Sequence, residues 1–100
     1  MALSGWHTYN YSLTKCCPDT LGIYELVDED KIVYYYGYGN IRTKLLEHLK
    51  KNEFPLVKYF RFEEFEAEEE CVLREQELLV SYQEKHKILP LYNERYLDLM

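Results

Sequence analysis

Two tyrosines, one glutamate and a short run of bases carry the chemistry open to this chain. Tyr24 and Tyr35 lie in strand-like runs, GIYELV (22–27) and IVYYYG (32–37), joined by the acidic turn Asp28-Glu29-Asp30-Lys31. If that turn centres on Glu29-Asp30, Val27 faces Ile32 and Tyr24 faces Tyr35. The two phenols then share one face of a hairpin, with Cβ atoms roughly 5 Å apart. Tyr34 and Tyr36 fall on the other face by the period of two. Further along, Cys71, Val72, Leu78, Leu79 and Tyr82 share one arc of a helix, with Glu75 inside the arc and Glu77 outside it. A carboxylate on a core-facing arc is costly unless it is paired or holds a cation. Two phenols, an inward acid and cationic residues on the intervening helix together compose a hydrolytic site for phosphodiesters. The plainer alternative is an aromatic cross-strand pair that only packs.

The elements that must position these groups follow from the pattern. The two runs make a β-hairpin, and Gly37, Tyr38 and Gly39 are expected to break its second strand. Asn40 can cap a helix through IRTKLLEHLKK, whose apolar face is Ile41, Leu45, Leu46 and Leu49. Asn52 to Pro55 end that helix, and VKYFRF (57–62) reads as a third strand. A second helix is expected from about Glu66 to Lys85. Pro90 blocks its continuation, and PLYNERYLDL should finish the chain in an extended or irregular way. The order ββαβα predicts an α+β fold with a three-stranded antiparallel sheet flanked by helices over residues 20–100. Residues 1–19 form an N-terminal arm in which WHTYNYS could add an edge strand.

A chain of 100 residues supports one modest core. No apolar run is long enough to cross a bilayer, and MALSGWHTYNYSL lacks the charged start and greasy centre of a signal peptide. Cys16, Cys17 and Cys71 give an odd count with an adjacent pair, which argues for a reducing compartment and against a zinc site. The expectation is a cytoplasmic protein with no membrane partner. The net charge of −6 is unevenly placed: residues 63–77 hold eight acids against Arg74, whereas residues 40–61 hold six bases against Glu47 and Glu53. A phosphate-bearing partner is compatible with the basic middle, although overall repulsion keeps unassisted affinity low.

Gly22-Ile23-Tyr24 followed after ten residues by Tyr35-Tyr36-Gly37 resembles the signature of the GIY-YIG nuclease superfamily. Glu75-Gln76-Glu77-Leu78-Leu79 is similar to that family's metal-binding Glu with its following apolar pair, and Pro90-Leu91-Tyr92-Asn93 to its closing Pro-x-Tyr-Asn. The likeness covers about residues 20 to 95, and ββαβα is the family's core order. It implies a metal-dependent endonuclease that uses Mg²⁺ or Mn²⁺ and acts on a nucleic acid, with DNA favoured over RNA and the choice between them not fixed by the sequence. It further implies Tyr24 as the base that activates water, Tyr35 as the group that orients it, and Glu75 as the metal holder. Asn93 would be a supporting hydrogen-bonder at the site. A phenol with an ordinary pKa near 10 needs help from a cation or hydrogen bond to act as a base at neutral pH.

One departure concerns the first helix. The family places an arginine eight residues after the glycine of the second triplet, and here that position is Leu45. With one residue missing from the loop, His48 aligns with the family histidine and Lys44 takes the arginine position. Arg42 is the nearest arginine. Lys44 serves as the phosphate clamp, or Arg42 reaches round, or the site is impaired; a lysine point charge does not equal a planar guanidinium fork. The alternative function is therefore a catalytically impaired module of the same fold that binds nucleic acid or protein. With no separate DNA-reading domain, target choice would come from nucleic-acid shape, a homodimer or a protein partner. Trp6, Tyr9 and Tyr11 could stack on bases or pack the arm against the sheet; His7 and His86 read as surface residues and Cys16-Cys17 as an ordinary thiol pair.

Overall fold

The strand Leu21–Val27 (β2) is central because six of its seven residues are buried, so both of its faces must be covered. The structure, a computed structural model, describes residues 3–93. Along the chain, β1 (His7–Thr8) and α1 (Tyr11–Lys15) precede β2, and β3 (Val33–Asn40), α2 (Ile41–Lys51), β4 (Tyr59–Glu64) and α3 (Glu68–His86) follow it. The strands form one antiparallel sheet in the order β1-β4-β2-β3. The fold is α+β as expected. The sheet has four strands where three were expected, because the arm supplies β1 as a short edge strand beside β4. The arm also holds α1, capped by the Asn10 side chain, which accepts from the Leu13 N–H at 2.8 Å.

The expected hairpin is present, but its register is not the expected one. Tyr24 faces Gly37, and Tyr35 faces Leu26. The turn closes at Asp28 and Ile32 instead of Val27 and Ile32, with Lys31 in the left-handed region at φ 66°. Asp28 Oδ1 accepts from the N–H groups of Asp30 and Ile32 at 2.9 and 3.0 Å, which fixes that turn. A bulge between Leu26 and Val27 then shifts the pairing once more. The total slip is two residues, so Tyr24 and Tyr35 stay on one face as diagonal neighbours with ring centroids 6.1 Å apart. The bulge also returns Tyr34 to that face, where it packs against the core and against Tyr92 at 5.9 Å; the expectation that it joins Tyr36 on the other face is corrected.

Gly37, Tyr38 and Gly39 do not break the second strand, which runs on to Asn40. Asn40 caps α2 by accepting from the Thr43 N–H at 2.9 Å, and Asn52 closes it in the left-handed region. The strand expected at 57–62 sits two residues later. The second helix begins at Glu68, with three glutamates in its first turn, where they meet the positive end of the helix dipole. Residues 91–93 make a helical turn, not the expected extended or irregular end; the remainder of PLYNERYLDL lies outside the described residues.

Helices α2 and α3 cover opposite faces of the sheet. The α2 face is the apolar core: Tyr24, Leu26, Phe60, Ile41, Leu45, Phe54, Val57 and Cys17 are all buried together. On the α3 face the strands contribute buried acids. Glu25 is 2% exposed and Glu63 4%. Arg61, directly across from Glu25, pairs with it at 3.0 and 3.3 Å, and Arg74 of α3 reaches Glu63 at 3.0 Å. Each buried carboxylate thus meets a guanidinium, which offsets the cost of its desolvation.

Candidate functional site

The α2 face gathers three of the expected residues into one cluster. The Tyr24 hydroxyl lies 2.8 Å from His48 Nε2. The Tyr35 ring stands 5.7 Å from the His48 ring and stacks on Phe54 at 5.3 Å. His48 is buried, and its other nitrogen, Nδ1, lies 3.4 Å from Glu53 Oε1. Among the described residues Nδ1 has no well-aligned hydrogen-bond partner, so its contact with Glu53 is chiefly electrostatic. A carboxylate on that side favours the proton on Nδ1, which leaves Nε2 to accept from the Tyr24 phenol. Burial holds the imidazole below its usual pKa, while Glu53 pulls the other way and Lys44 adds to the lowering. The lowered pKa favours the neutral imidazole, and with its proton on Nδ1 that ring accepts from the phenol at Nε2.

The strand opposite makes room for this contact. A Cβ on Gly37 would lie 2.5 Å from Tyr24 Cζ and Oη and 2.7 Å from a Tyr35 ring carbon. Only glycine fits beneath the two rings. Gly39, at φ +137°, carries the stem of Lys44: a Cβ there would come within 3.0 Å of Lys44 Cε.

Lys44 and Arg42 go different ways. Lys44 lies along β3 on the Gly39 side and acts electrostatically on His48. Arg42 turns back toward the arm, where its Nε donates to the Cys17 carbonyl at 2.8 Å and its Nη1 lies 3.9 Å from Asp19 Oδ2. Of the two, Lys44 is the cation beside the phenol–imidazole pair.

Glu75 does not join the phenols. It lies on α3, across the sheet from Tyr24, Tyr35 and His48, and its charge acts on Tyr38 and Cys71. The expected convergence of the three side chains in one pocket is corrected here. The helix phase was read rightly: Glu75 is half-buried, Cys71 is buried and Glu77 is exposed and paired with Arg74. Burial pushes the Glu75 carboxyl up to about 7. The helix simply covers the other face. The Tyr24 phenol is also sealed, at 1% exposure, and not at the wall of an open concavity.

Asn93 is a backbone clasp. Its Oδ1 accepts from the Tyr36 N–H at 2.8 Å and its Nδ2 donates to the Tyr36 carbonyl at 2.9 Å, so it pairs with the outer side of edge strand β3 as a further strand would. Tyr92, next to it, packs edge-on against Phe54 at 4.7 Å. The arm packs too: the Tyr9 hydroxyl donates to the Leu45 carbonyl at 2.8 Å.

Glu53 and Phe54 belong to the cluster and were missed in the sequence, where Asn52 to Pro55 served only as a helix stop. The paired acids Glu25 and Glu63 were missed as well; their arginines are 36 and 11 residues away. Among the described residues no three His, Cys, Asp or Glu side chains come together as a metal cage, and no helix is long and apolar enough to cross a membrane. No curated protein and no solved structure matches the chain. The profile of one protein family, a domain of unknown function (DUF7508), matches residues 1–85, and the chain belongs to that family.

Proposed function

We propose that the chain is a small endonuclease that hydrolyses nucleic-acid phosphodiester bonds in the manner of the GIY-YIG superfamily it resembles. The observation that carries this reading is the 2.8 Å contact between the Tyr24 hydroxyl and His48 Nε2. The proposed step requires the cluster to open so that water reaches the phenol, which is 1% exposed as it stands. Tyr24 then takes a proton from the attacking water as its own phenolic proton passes to Nε2. The water oxygen bonds to phosphorus, and the ester oxygen leaves with the electron pair of the broken P–O bond. Tyr35 packs beside the pair and limits its motion, and Lys44 offers the charge that attracts phosphate.

Glu75 is the residue that would hold a divalent cation, Mg²⁺ or Mn²⁺. Its chemistry fits: a half-buried carboxyl raised to about 7 gains from a nearby positive charge, and no hydrogen bond or ion pair within the described residues satisfies it. Mg²⁺ is commonly held through one or two carboxylates and keeps several waters. Such a cation would supply positive charge to a phosphate on the α3 face; Glu75 lies across the sheet from Tyr24 and His48, so no step at that pair is routed through it.

A second reading, a module that binds nucleic acid or protein without cleaving it, is favoured by the burial of Tyr24 and by the placement of Glu75 on the far face. One experiment separates them. Single-stranded, duplex and branched DNA, and RNA, are incubated with the chain in Mg²⁺, Mn²⁺ or chelator, alongside Tyr24→Phe and Glu75→Ala. Metal-dependent cleavage lost in both variants supports the nuclease. Binding without cleavage by the folded wild type under every condition refutes it and leaves the module.

A further inference from the structure

On the α3 face a cavity of about 500 Å³ opens between the sheet and the last turns of α3. It belongs to neither the Tyr24 cluster nor Glu75. Its walls are aromatic, with Trp6, Tyr36 and Tyr82, and its charged lining is mostly positive, with Lys31, Arg61 and Lys85. Among the described residues the one acid in the lining, Glu25, is buried and already neutralised by Arg61. That pairing uses Arg61 Nε and Nη2, and among the described residues no hydrogen bond engages Nη1. Trp6 stacks over the same guanidinium, 4.3 Å from Cζ to the ring centroid, which fixes its plane. A positioned guanidinium edge with two lysines is a receptor for a multiply charged oxyanion, and the indole and phenols suit a flat ring. The volume falls in the range of about 300–1,000 Å³ that small-molecule sites occupy.

We propose that this cavity binds a nucleoside monophosphate, with its phosphate on Arg61 and Lys85 and its base against the aromatic wall. The proposal does not rest on cleavage. The cavity lies across the sheet from Tyr24, and binding can be read in the presence of chelator, where a metal-dependent nuclease is silent.

Trp6 is the only tryptophan in the chain and forms part of the wall, so the protein carries its own reporter. The full chain in EDTA is titrated with AMP, with adenosine and with inorganic phosphate, following tryptophan fluorescence and, in parallel, heat of binding. The expected result is a saturable response to AMP at concentrations well below those needed for either fragment. Lys85→Glu should weaken AMP about tenfold or more, as reversal of one charge beside a phosphate requires, with the far-ultraviolet circular dichroism unchanged. Added salt should weaken AMP binding to the wild type. Absence of saturable binding by both readouts overturns the proposal. So does equal affinity for adenosine or phosphate alone, or an AMP midpoint that a folded Lys85→Glu variant leaves in place.

Discussion

Gly37 lies directly across from Tyr24, and the space of its missing side chain is filled by the Tyr24 ring. The glycine sits in mid-strand, where it weakens the backbone, and the phenol takes the room it leaves. Gly37→Ala should therefore destabilise the fold instead of stabilising a strand. A methyl group 2.5 Å from Cζ and Oη forces the ring aside or β3 outward, at a cost of about 1–3 kcal/mol by analogy with overpacked cores. Urea unfolding of the two proteins measures the difference. A neutral or stabilising outcome contradicts the packing described here.

His48 makes the next prediction. Tyr24→Phe keeps the ring but removes the hydroxyl from Nε2, leaving a buried nitrogen unsatisfied at a cost of about 1–3 kcal/mol. His48 also imposes a pH dependence with a definite sign. Its folded pKa is lowered from 6.5, so the unfolded chain binds the extra proton first. The stability this gives is fully present above about pH 6.5 and is lost as pH falls through the lowered folded value. His48→Gln should lose less stability than wild type across that acidic window, in thermal melts at matched salt. Identical slopes would mean that His48 titrates as it does in the unfolded chain.

Much of the fold was legible because its signals are local. Asn40 and Asn52 mark both ends of α2, and Tyr24 and Tyr35 share a face because a slip of two residues preserves parity. The register itself was not legible. It depends on Lys31 adopting a positive φ and on a bulge at Leu26 and Val27, neither of which alternation reports. Helix α1 is five residues long, too short for periodicity to mark it. Glu75 shows a deeper limit: helical phase tells that a side chain points to a sheet, but not which face of the sheet the helix covers. The paired acids Glu25 and Glu63 were hidden for a related reason, since each depends on a partner brought close only by the folded sheet and helix.

Glu75 gives a pH prediction of the opposite sense. Its folded pKa is raised from 4.5 to about 7, so between those values the folded chain holds the extra proton. Stability from this group is present below about pH 4.5 and is lost as pH rises to about 7. Glu75→Gln should thus be more stable than wild type at pH 8, on the order of 1–2 kcal/mol once solvent screening is allowed for, and nearly equal at pH 4. Mg²⁺ at pH 8 should raise the melting temperature of wild type and leave Glu75→Gln unmoved if Glu75 holds the cation. A metal effect equal in both would place the cation elsewhere.

Asn93 tests how far the end of the chain supports the candidate site. Its side-chain amide makes both hydrogen bonds to the Tyr36 backbone, and the residue is 8% exposed, so water replaces it poorly. Asn93→Ala should cost about 1–3 kcal/mol, from two modest hydrogen bonds and two backbone groups left short of partners. Asn93→Asp is the sharper variant. Its ionised carboxylate still accepts from the Tyr36 N–H, but it sets a negative oxygen against the Tyr36 carbonyl where the amide donated. It should therefore be less stable than wild type at pH 7 and recover part of the loss near pH 4, where a protonated acid can donate again. Hydrogen exchange at the Tyr36 amide gives the local readout: faster in Asn93→Ala by more than global unfolding explains. Unchanged exchange there would show that the edge of β3 holds without its clasp.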